Sequence, residues 1–264
     1  MERVKVVILC GGIGTRLKEE TEFRPKPLVK IGGKPILWHI MKIYSHFGFN
    51  DFILCLGYKG ELIKEYFVNN EWMNSDFTLN LRNKNIKLCD PNKSPDWNIT
   101  FVDTGLEAET GTRIKKIEKY INEDFFLATY GDGVGNIDIS KLIETHKKNK
   151  KIATLTGLRP TSKYGILKID KDDKELIINF EEKPIMEEWI SGGFFVFDRG
   201  LFDYLTDDIN CKLEREPFEK LASRKQFAVY RHYGFWACMD TFKEAEWLKK
   251  IWNSGKAPWK IWND

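Results

Sequence analysis

A chain of 264 residues that is 42% apolar and 14% aromatic can bury a sizeable core, which excludes a disordered or fibrous protein and predicts one domain with a small subdomain. Its 42 basic and 39 acidic residues leave a formal charge of only +3, and no basic stripe with interleaved aromatics is present, so no nucleic-acid partner is expected. No apolar run approaches bilayer length and no signal peptide precedes the first apolar segment, so the expected location is cytoplasmic, with no membrane partner.

The chain opens on VKVVILC (4–10), a continuous β-branched and aliphatic run that predicts a strand buried on both faces, as in a parallel sheet. Gly11, Gly12 and Gly14 follow at its carboxyl end, where missing Cβ atoms let backbone N–H groups approach a phosphate. Thr15 adds a hydroxyl and Arg16 a rigid cationic fork, while Pro25 and Pro27 hold Lys26 with its stem extended. The dinucleotide fingerprint fails at Leu17, where its third glycine should stand, and the Gly-Lys-Ser/Thr of a Walker A loop is missing.

Apolar spacing then predicts a helix over 35–47 ending at Gly48, a strand over 51–56 and a helix near 61–67. Residues 69–98 break this rhythm with the period-two stretches FTLNLRN and IKLCD and then PNKSPDW, which predicts a functional or interfacial β-hairpin insertion. A strand over 99–103, a helix over 113–121 and a strand over 125–130 complete a β-α-β alternation whose strand ends converge on Gly11, Thr104 and Asp132. The basic run 147–151, around Asn149, is expected to close a helix at its C-terminal dipole. Beyond it come expected strands at 152–157, 165–169, 176–181 and 192–197, and helices at 199–205, 217–223 and 242–252. The fold class is therefore α/β, a doubly wound, mostly parallel Rossmann-like sheet with a hairpin insertion and a small C-terminal α+β part. Residues 1–135 form the nucleotide-binding half and 136–264 the remainder.

Asp132 stands at the end of FFLATY between Gly131 and Gly133, and Asp240 follows the aromatic strand of GFWACMD. Taken singly, each aspartate fits a turn or a helix cap, Asp240 especially because Thr241 follows. Lys183 in FEEKP fits a solvated charge cluster, and Gly192-Gly193 interrupts an apolar strand, implying close backbone approach by a ligand. Five scattered cysteines read as buried free thiols rather than disulfides or a metal site. Trp247, Trp252, Trp259 and Trp262 read as core or subunit packing. His39 and His46 fall on the first helix, His146 near the basic run and His232 before a strand, none paired with a nucleophile.

GGIGTRL (11–17), the Pro-Lys-Pro lysine ten residues after Arg16, and IGGKPIL (31–37) together resemble the sugar-1-phosphate nucleotidylyltransferases. Residues 38–67 resemble the glucose-1-phosphate cytidylyltransferases within that family, and WNITFVDTG, TGTRIKKI, YGDGV, FEEKP, SGGFFVF, GFWACMDT and GKAPWKIW extend the resemblance nearly end to end. The resemblance implies a Mg²⁺-dependent enzyme that transfers a cytidylyl group from CTP to a sugar 1-phosphate, α-D-glucose 1-phosphate foremost. It would release pyrophosphate and give a CDP-sugar for surface polysaccharide, such as O-antigen, or for deoxysugars. It also implies a homo-oligomer, a trimer or hexamer.

Carried over by motif, the nucleotide site comprises Leu9, Cys10, Gly11, Gly12, Gly14, Thr15 and Arg16 from the first turn, with Lys26, Thr104, Gly111, Arg113 and Asp132. Tyr130, Gly165, Glu182, Lys183, Ser191 and Gly192 are expected at the sugar phosphate, and Asp132 and Asp240 at the metal. Arg16, Lys26 and Lys183 are the expected catalytic cations. Cys10 stands where many relatives have alanine, and Ser191 and GLRPTSK (157–163) differ from the glucose enzymes, so another sugar or polyol phosphate remains open. Thymidylyl, uridylyl or guanylyl transfer is the alternative on the base. A non-catalytic nucleotide-sugar sensor would have lost Arg16, Lys26 or a metal aspartate, and a glycosyltransferase would carry Asp-x-Asp where this chain has Tyr130-Gly131-Asp132-Gly133-Val134.

Overall fold

Successive aliphatic residues on a strand face opposite ways, so Val6, Val7 and Ile8 can all be buried only if both faces of their sheet are covered. The computed structural model describes residues 4–73, 75–89 and 95–263 and shows this arrangement. The main sheet has seven strands: β1 (Val6–Leu9), β2 (Asp51–Leu56), β3 (Asn98–Asp103), β4 (Phe125–Tyr130), β5 (Ala153–Leu158), β6 (Ile190–Asp198) and β7 (Phe227–His232). Their spatial order is β7-β5-β6-β4-β1-β2-β3. β1 pairs in parallel with β2 and β4, β2 with β3, and β5 with β7, while β6 runs against both of its neighbours. The mostly parallel α/β class read from the sequence is the observed one.

Alternation along β1 divides the core in two. Val6 and Ile8 face a cluster built on helix α1 (Ile36–His46), with Ile36, Leu37, Ile40, Met41, Ile43 and Tyr44 buried at helical spacing. Val7 faces the opposite cluster, with Phe126, Phe195, Phe197 and Ile114. α1 ends before Gly48, whose φ of +86° is open to glycine without strain. Of the four C-terminal tryptophans, Trp259 and Trp262 are buried in the first cluster beside His39, whereas Trp247 is exposed.

Several expectations change. The second helix, α2 (Gly60–Met73), runs on past 67, so the insertion begins later. Its antiparallel strands are Phe77–Leu79 and Ile86–Leu88, while residues 90–94 of the expected stretch lie outside the described residues. The helix expected over 113–121 starts earlier, as α3 (Thr110–Lys115), and passes into a tight turn at Glu118–Tyr120, so Arg113 lies near its end rather than its start. The reason is tertiary: Thr110 accepts a hydrogen bond from Leu213 N, and Gly111 packs against Cys211.

The basic run does close a helix, α4 (Ile139–Asn149), with Lys150 in the left-handed region at φ 50°. The segment 199–205 is a 3₁₀ helix, Arg199–Tyr204, and α5 (Glu216–Ser223) and α6 (Phe242–Asn253) follow. His232 ends a strand, β7, rather than only preceding one. Segments 165–169 and 176–181 leave the main sheet as a separate antiparallel hairpin, Ile166–Ile169 with Ile177–Glu181, exposed on both faces. Cys10 and Cys55 are buried, but Cys89 is exposed and Cys211 and Cys238 are half-buried. No helix among the described residues is long and apolar enough to cross a membrane.

Candidate active site

The carboxyl end of β1 is held open by one buried side chain. The Arg113 guanidinium, 4% exposed, occupies the space where a Cβ on Gly11 would sit. Its Nη1 donates to Leu56 O, Thr104 Oγ1 and Gly105 O, and its Nη2 to Gly11 O and Leu106 O, at 2.6 to 3.1 Å. Burial lowers the Arg113 pKa, opposed by the nearby Cys55, Cys10, Glu109 and Asp103. Thr104 donates its hydroxyl to Leu56 O at 2.6 Å, and Gly111 N donates to Cys211 O at 2.9 Å. Arg113 and Thr104, expected at the nucleotide, thus bind backbone around the Gly11 turn, Gly111 is tied to Cys211, and Arg113 is also part of the cleft lining.

That turn lines a cleft of 250 Å³ together with Leu9, Cys10, Gly12, Gly14, Arg16, Lys26, Tyr130 and Asp132. Nothing lies within 4 Å of a Cβ built on Gly12, whereas Gly14, at φ +70°, abuts Thr21 and Lys26. Thr15 and Arg16 are the exposed residues of the 3₁₀ turn Thr15–Leu17, whose Leu17 is buried. Larger depressions of 420 Å³ beside Gly48 and 510 Å³ beside Tyr66 lie elsewhere, away from Lys26 and Asp132.

Lys26 opens a 3₁₀ turn, Lys26–Leu28, after extended Pro25. Its ammonium lies 2.6 Å from Asp132 Oδ2 and 2.5 Å from Asp240 Oδ1, and Arg16 Nη1 lies 3.1 Å from Asp240 Oδ2. A small antiparallel ladder brings the aspartates together: Gly133–Gly135 pairs with Trp236–Cys238, Cys238 opposite Gly133, and Met239 N donates to Asp132 O at 2.9 Å. The cap of α6 is Thr241, in a capping box with Glu244, which leaves the Asp240 carboxylate free to face Lys26.

Burial opposes the charge on Lys26, but the Asp132 carboxylate and the hydrogen bonds to Asp132 and Asp240 outweigh it and raise the ammonium's pKa. Burial likewise opposes the Asp240 charge, yet Lys26 and then Arg16 hold its pKa below the usual carboxylate value. Asp132, Cys238 and Asp240 each place one ligand atom within 4.8 Å of the others, a set compatible with a small cation.

The sugar-side residues are gathered less tightly. Tyr130 donates its hydroxyl to Glu214, which also accepts from the Thr110 hydroxyl at 2.6 Å. The Tyr130 ring fills the place of a Cβ on Gly193, whose φ is +74°, and Leu158 Cδ1 lies 2.9 Å from a Cβ built on Gly192. The glycine pair expected to admit a ligand therefore admits side chains, and Gly192 O accepts from Trp236 Nε1 at 2.8 Å. Gly165 packs on the Phe180 ring, and Ser191 is exposed at the start of β6. Glu182 and Lys183 pair at 3.4 Å at the exposed hairpin's end, Lys183 at φ 49°, and the wall of the 250 Å³ cleft is built without them. Sequence reading missed Glu214 and Cys238. Glu214 carries no local signal, and Cys238 was set aside as one of five unconnected thiols.

A cleft at the carboxyl ends of parallel strands, with cations facing paired carboxylates, defines an α/β protein with the groups to hold phosphates. The chain belongs to the nucleotidyl transferase family, whose model matches residues 5–264. It is 46% identical to the probable glucose-1-phosphate cytidylyltransferase of Bacillus subtilis and 45% identical to the glucose-1-phosphate cytidylyltransferase of Salmonella typhi, each match covering 98% of this chain and 100% of the relative. Among solved structures, HddC from Yersinia pseudotuberculosis complexed with GMP-PN superposes with a TM-score of 0.67 at 22% identity, covering 94% of this chain and 99% of that one. UDP-glucose pyrophosphorylase complexed with UDP-glucose gives 0.67 at 15% identity, covering 96% and 99%. These two similarities establish the shared fold.

Proposed function

We propose that this enzyme transfers the cytidylyl group of CTP to α-D-glucose 1-phosphate, releasing pyrophosphate and forming CDP-glucose. The observation that carries the reading is the buried Lys26 ammonium bridging Asp132 and Asp240 beside a glycine-walled cleft. The base and sugar follow the relatives at 45 and 46% identity. In the reaction a phosphate oxygen of the sugar attacks the α-phosphorus of CTP and the bond to the β-phosphate oxygen breaks. Both reactants are anions, so positioning and charge compensation carry the catalysis.

Arg16, exposed at the mouth, clamps the β- and γ-phosphates and steadies departing pyrophosphate. Lys26 neutralises the α-phosphate. Leu9, Cys10, Gly11, Gly12, Gly14, Thr15 and Arg113 shape the nucleotide wall, with Thr104 and Gly111 fixing the backbone next to Arg113. Asp132 and Asp240 would hold Mg²⁺, and the ammonium seated between them supports a cation-sized place there. When bound, Mg²⁺ supplies charge stabilisation on the phosphate oxygens. Lys183 positions the acceptor phosphate and Glu182 meets sugar hydroxyls, which requires their hairpin to close inward. Tyr130 and Ser191 complete the sugar side, with Gly165 and Gly192 making room there for Phe180 and Leu158.

Residues 1–135 would serve the nucleotide and 136–264 the sugar phosphate, in one domain in the cytoplasm, where CTP is available. A homo-oligomer, trimer or hexamer, belongs to the same reading, and the exposed Leu167 and Phe180 of the hairpin offer a surface for a second copy to cover. The product would enter O-antigen or deoxysugar synthesis. Incubation with Mg²⁺, each of CTP, dTTP, UTP and GTP, and a panel of sugar and polyol phosphates, followed by mass spectrometry, tests the proposal. CDP-glucose is the expected principal product, and no CDP-linked product with any acceptor overturns the reading.

A further inference from the structure

We infer that Lys26 is a tethered counter-cation of the metal site: its ammonium occupies the place between Asp132 and Asp240 that a divalent ion would take, and the two exchange there. The inference rests on the proposed assignment of those aspartates to the metal.

The geometry leaves room for one cation. Lys26 Nζ sits 2.6 and 2.5 Å from carboxylates that lie 106 and 214 positions away in the chain, and the candidate ligand atoms of Asp132, Cys238 and Asp240 all fall within 4.8 Å of one another. A divalent ion needs its oxygen ligands at about 2.0–2.1 Å, so ion and ammonium would compete for the same lone pairs and repel strongly in this half-buried place. The charges are already balanced, Arg16 and Lys26 against Asp132 and Asp240, so the free protein offers a divalent ion little net attraction.

Only the end of the lysine can yield. Its backbone is fixed between Pro25 and Pro27, with Leu28 N donating to Pro25 O and Val29 N to Lys26 O. The stem must therefore pivot, and the cleft it lines with Gly12, Gly14 and Arg16 is where the proposed triphosphate offers replacement anions. Ion and triphosphate then favour each other's binding by the same factor, the lysine being the element both move.

Mn²⁺ binding without nucleotide, followed by the electron paramagnetic resonance signal of the free ion, tests this on the full chain. Lys26→Met is expected to bind Mn²⁺ about tenfold more tightly than wild type, whereas Lys26→Arg keeps the weak affinity. Equal or weaker binding by a folded Lys26→Met, judged by near-ultraviolet circular dichroism, overturns the exchange while leaving the metal assignment intact. No Mn²⁺ binding by either protein, with or without CTP, overturns both. A measurement on the wild type avoids the variant: acetic anhydride labelling mapped by mass spectrometry should modify Lys26 several-fold faster once Mn²⁺ alone is added, and unchanged labelling refutes the exchange.

Discussion

Arg113 shows how a residue's type and its task separate. An arginine six residues beyond Glu107 in a nucleotide-binding half reads as a ligand contact, yet each of its Nη groups is spent on backbone or on Thr104. It reaches four carbonyls, but Leu56 O also accepts from Thr104 N and Thr104 Oγ1 and Gly11 O from Tyr58 N, so the two that rely on Arg113 are those of Gly105 and Leu106. Lysine cannot reproduce a planar fork, so Arg113→Lys should leave Gly105 O and Leu106 O unpaired and destabilise the protein by roughly 2 kcal/mol, measured by urea unfolding. Unchanged stability with weakened nucleotide binding would instead mark Arg113 as a direct contact. The same separation applies to Gly193, where a missing Cβ makes room for the Tyr130 ring. Local sequence shows that a Cβ is forbidden and is silent about what takes its place.

At the scale of elements, local chemistry was a dependable guide wherever the signal was short-ranged. β2 and β4 fall on the boundaries read from their apolar runs, α1 is a residue shorter at each end, and α6 starts as expected and runs one residue longer. α4 is the instructive case, because its basic last turn was legible and its left-handed terminus was not. Asp138 caps its start by accepting from Lys141 N, and Lys150 then takes φ 50° where glycine is the usual choice. Lys150→Gly should therefore stabilise the protein by about 0.5–1 kcal/mol, seen as a higher urea midpoint with an unchanged slope. A lower midpoint would mean that the Lys150 side chain contributes more than its backbone costs. The exposed hairpin could not be read this way, since ILKI and IINFE look like core strands and only the fold shows them lying outside the sheet.

Across the whole molecule, burial makes three histidines harder to protonate. His39 is fully buried, accepting from Trp259 Nε1 at 3.5 Å and donating to Ile31 O at 2.9 Å, and its pKa is lowered to about 4, burial outweighing the carbonyl contacts. Burial moves His146 and His232 in the same direction. An unfolded histidine takes its proton near about pH 6.5, so between there and about 4 the unfolded chain binds more protons than the folded one. Stability is thus complete above that interval and falls as pH drops through it, by on the order of 2 kcal/mol at pH 5 from His39 alone. Urea unfolding at pH 7 and pH 5 should show this loss, and His39→Gln, which keeps a donor for Ile31, should reduce it; an equal loss in the variant would assign it to other groups.

By itself the sequence determined the central strand, the glycine turn, the cap signals and the membership of a phosphate-handling family, because each is written in neighbouring residues whose propensities act over a few positions. What only the tertiary structure decided was long-range: the ladder that sets Asp132 beside Asp240, the lysine between them, and the use of Arg113 as a brace. Those depend on register and burial across segments more than a hundred positions apart, and no local propensity encodes which partner a charged side chain meets once water is excluded.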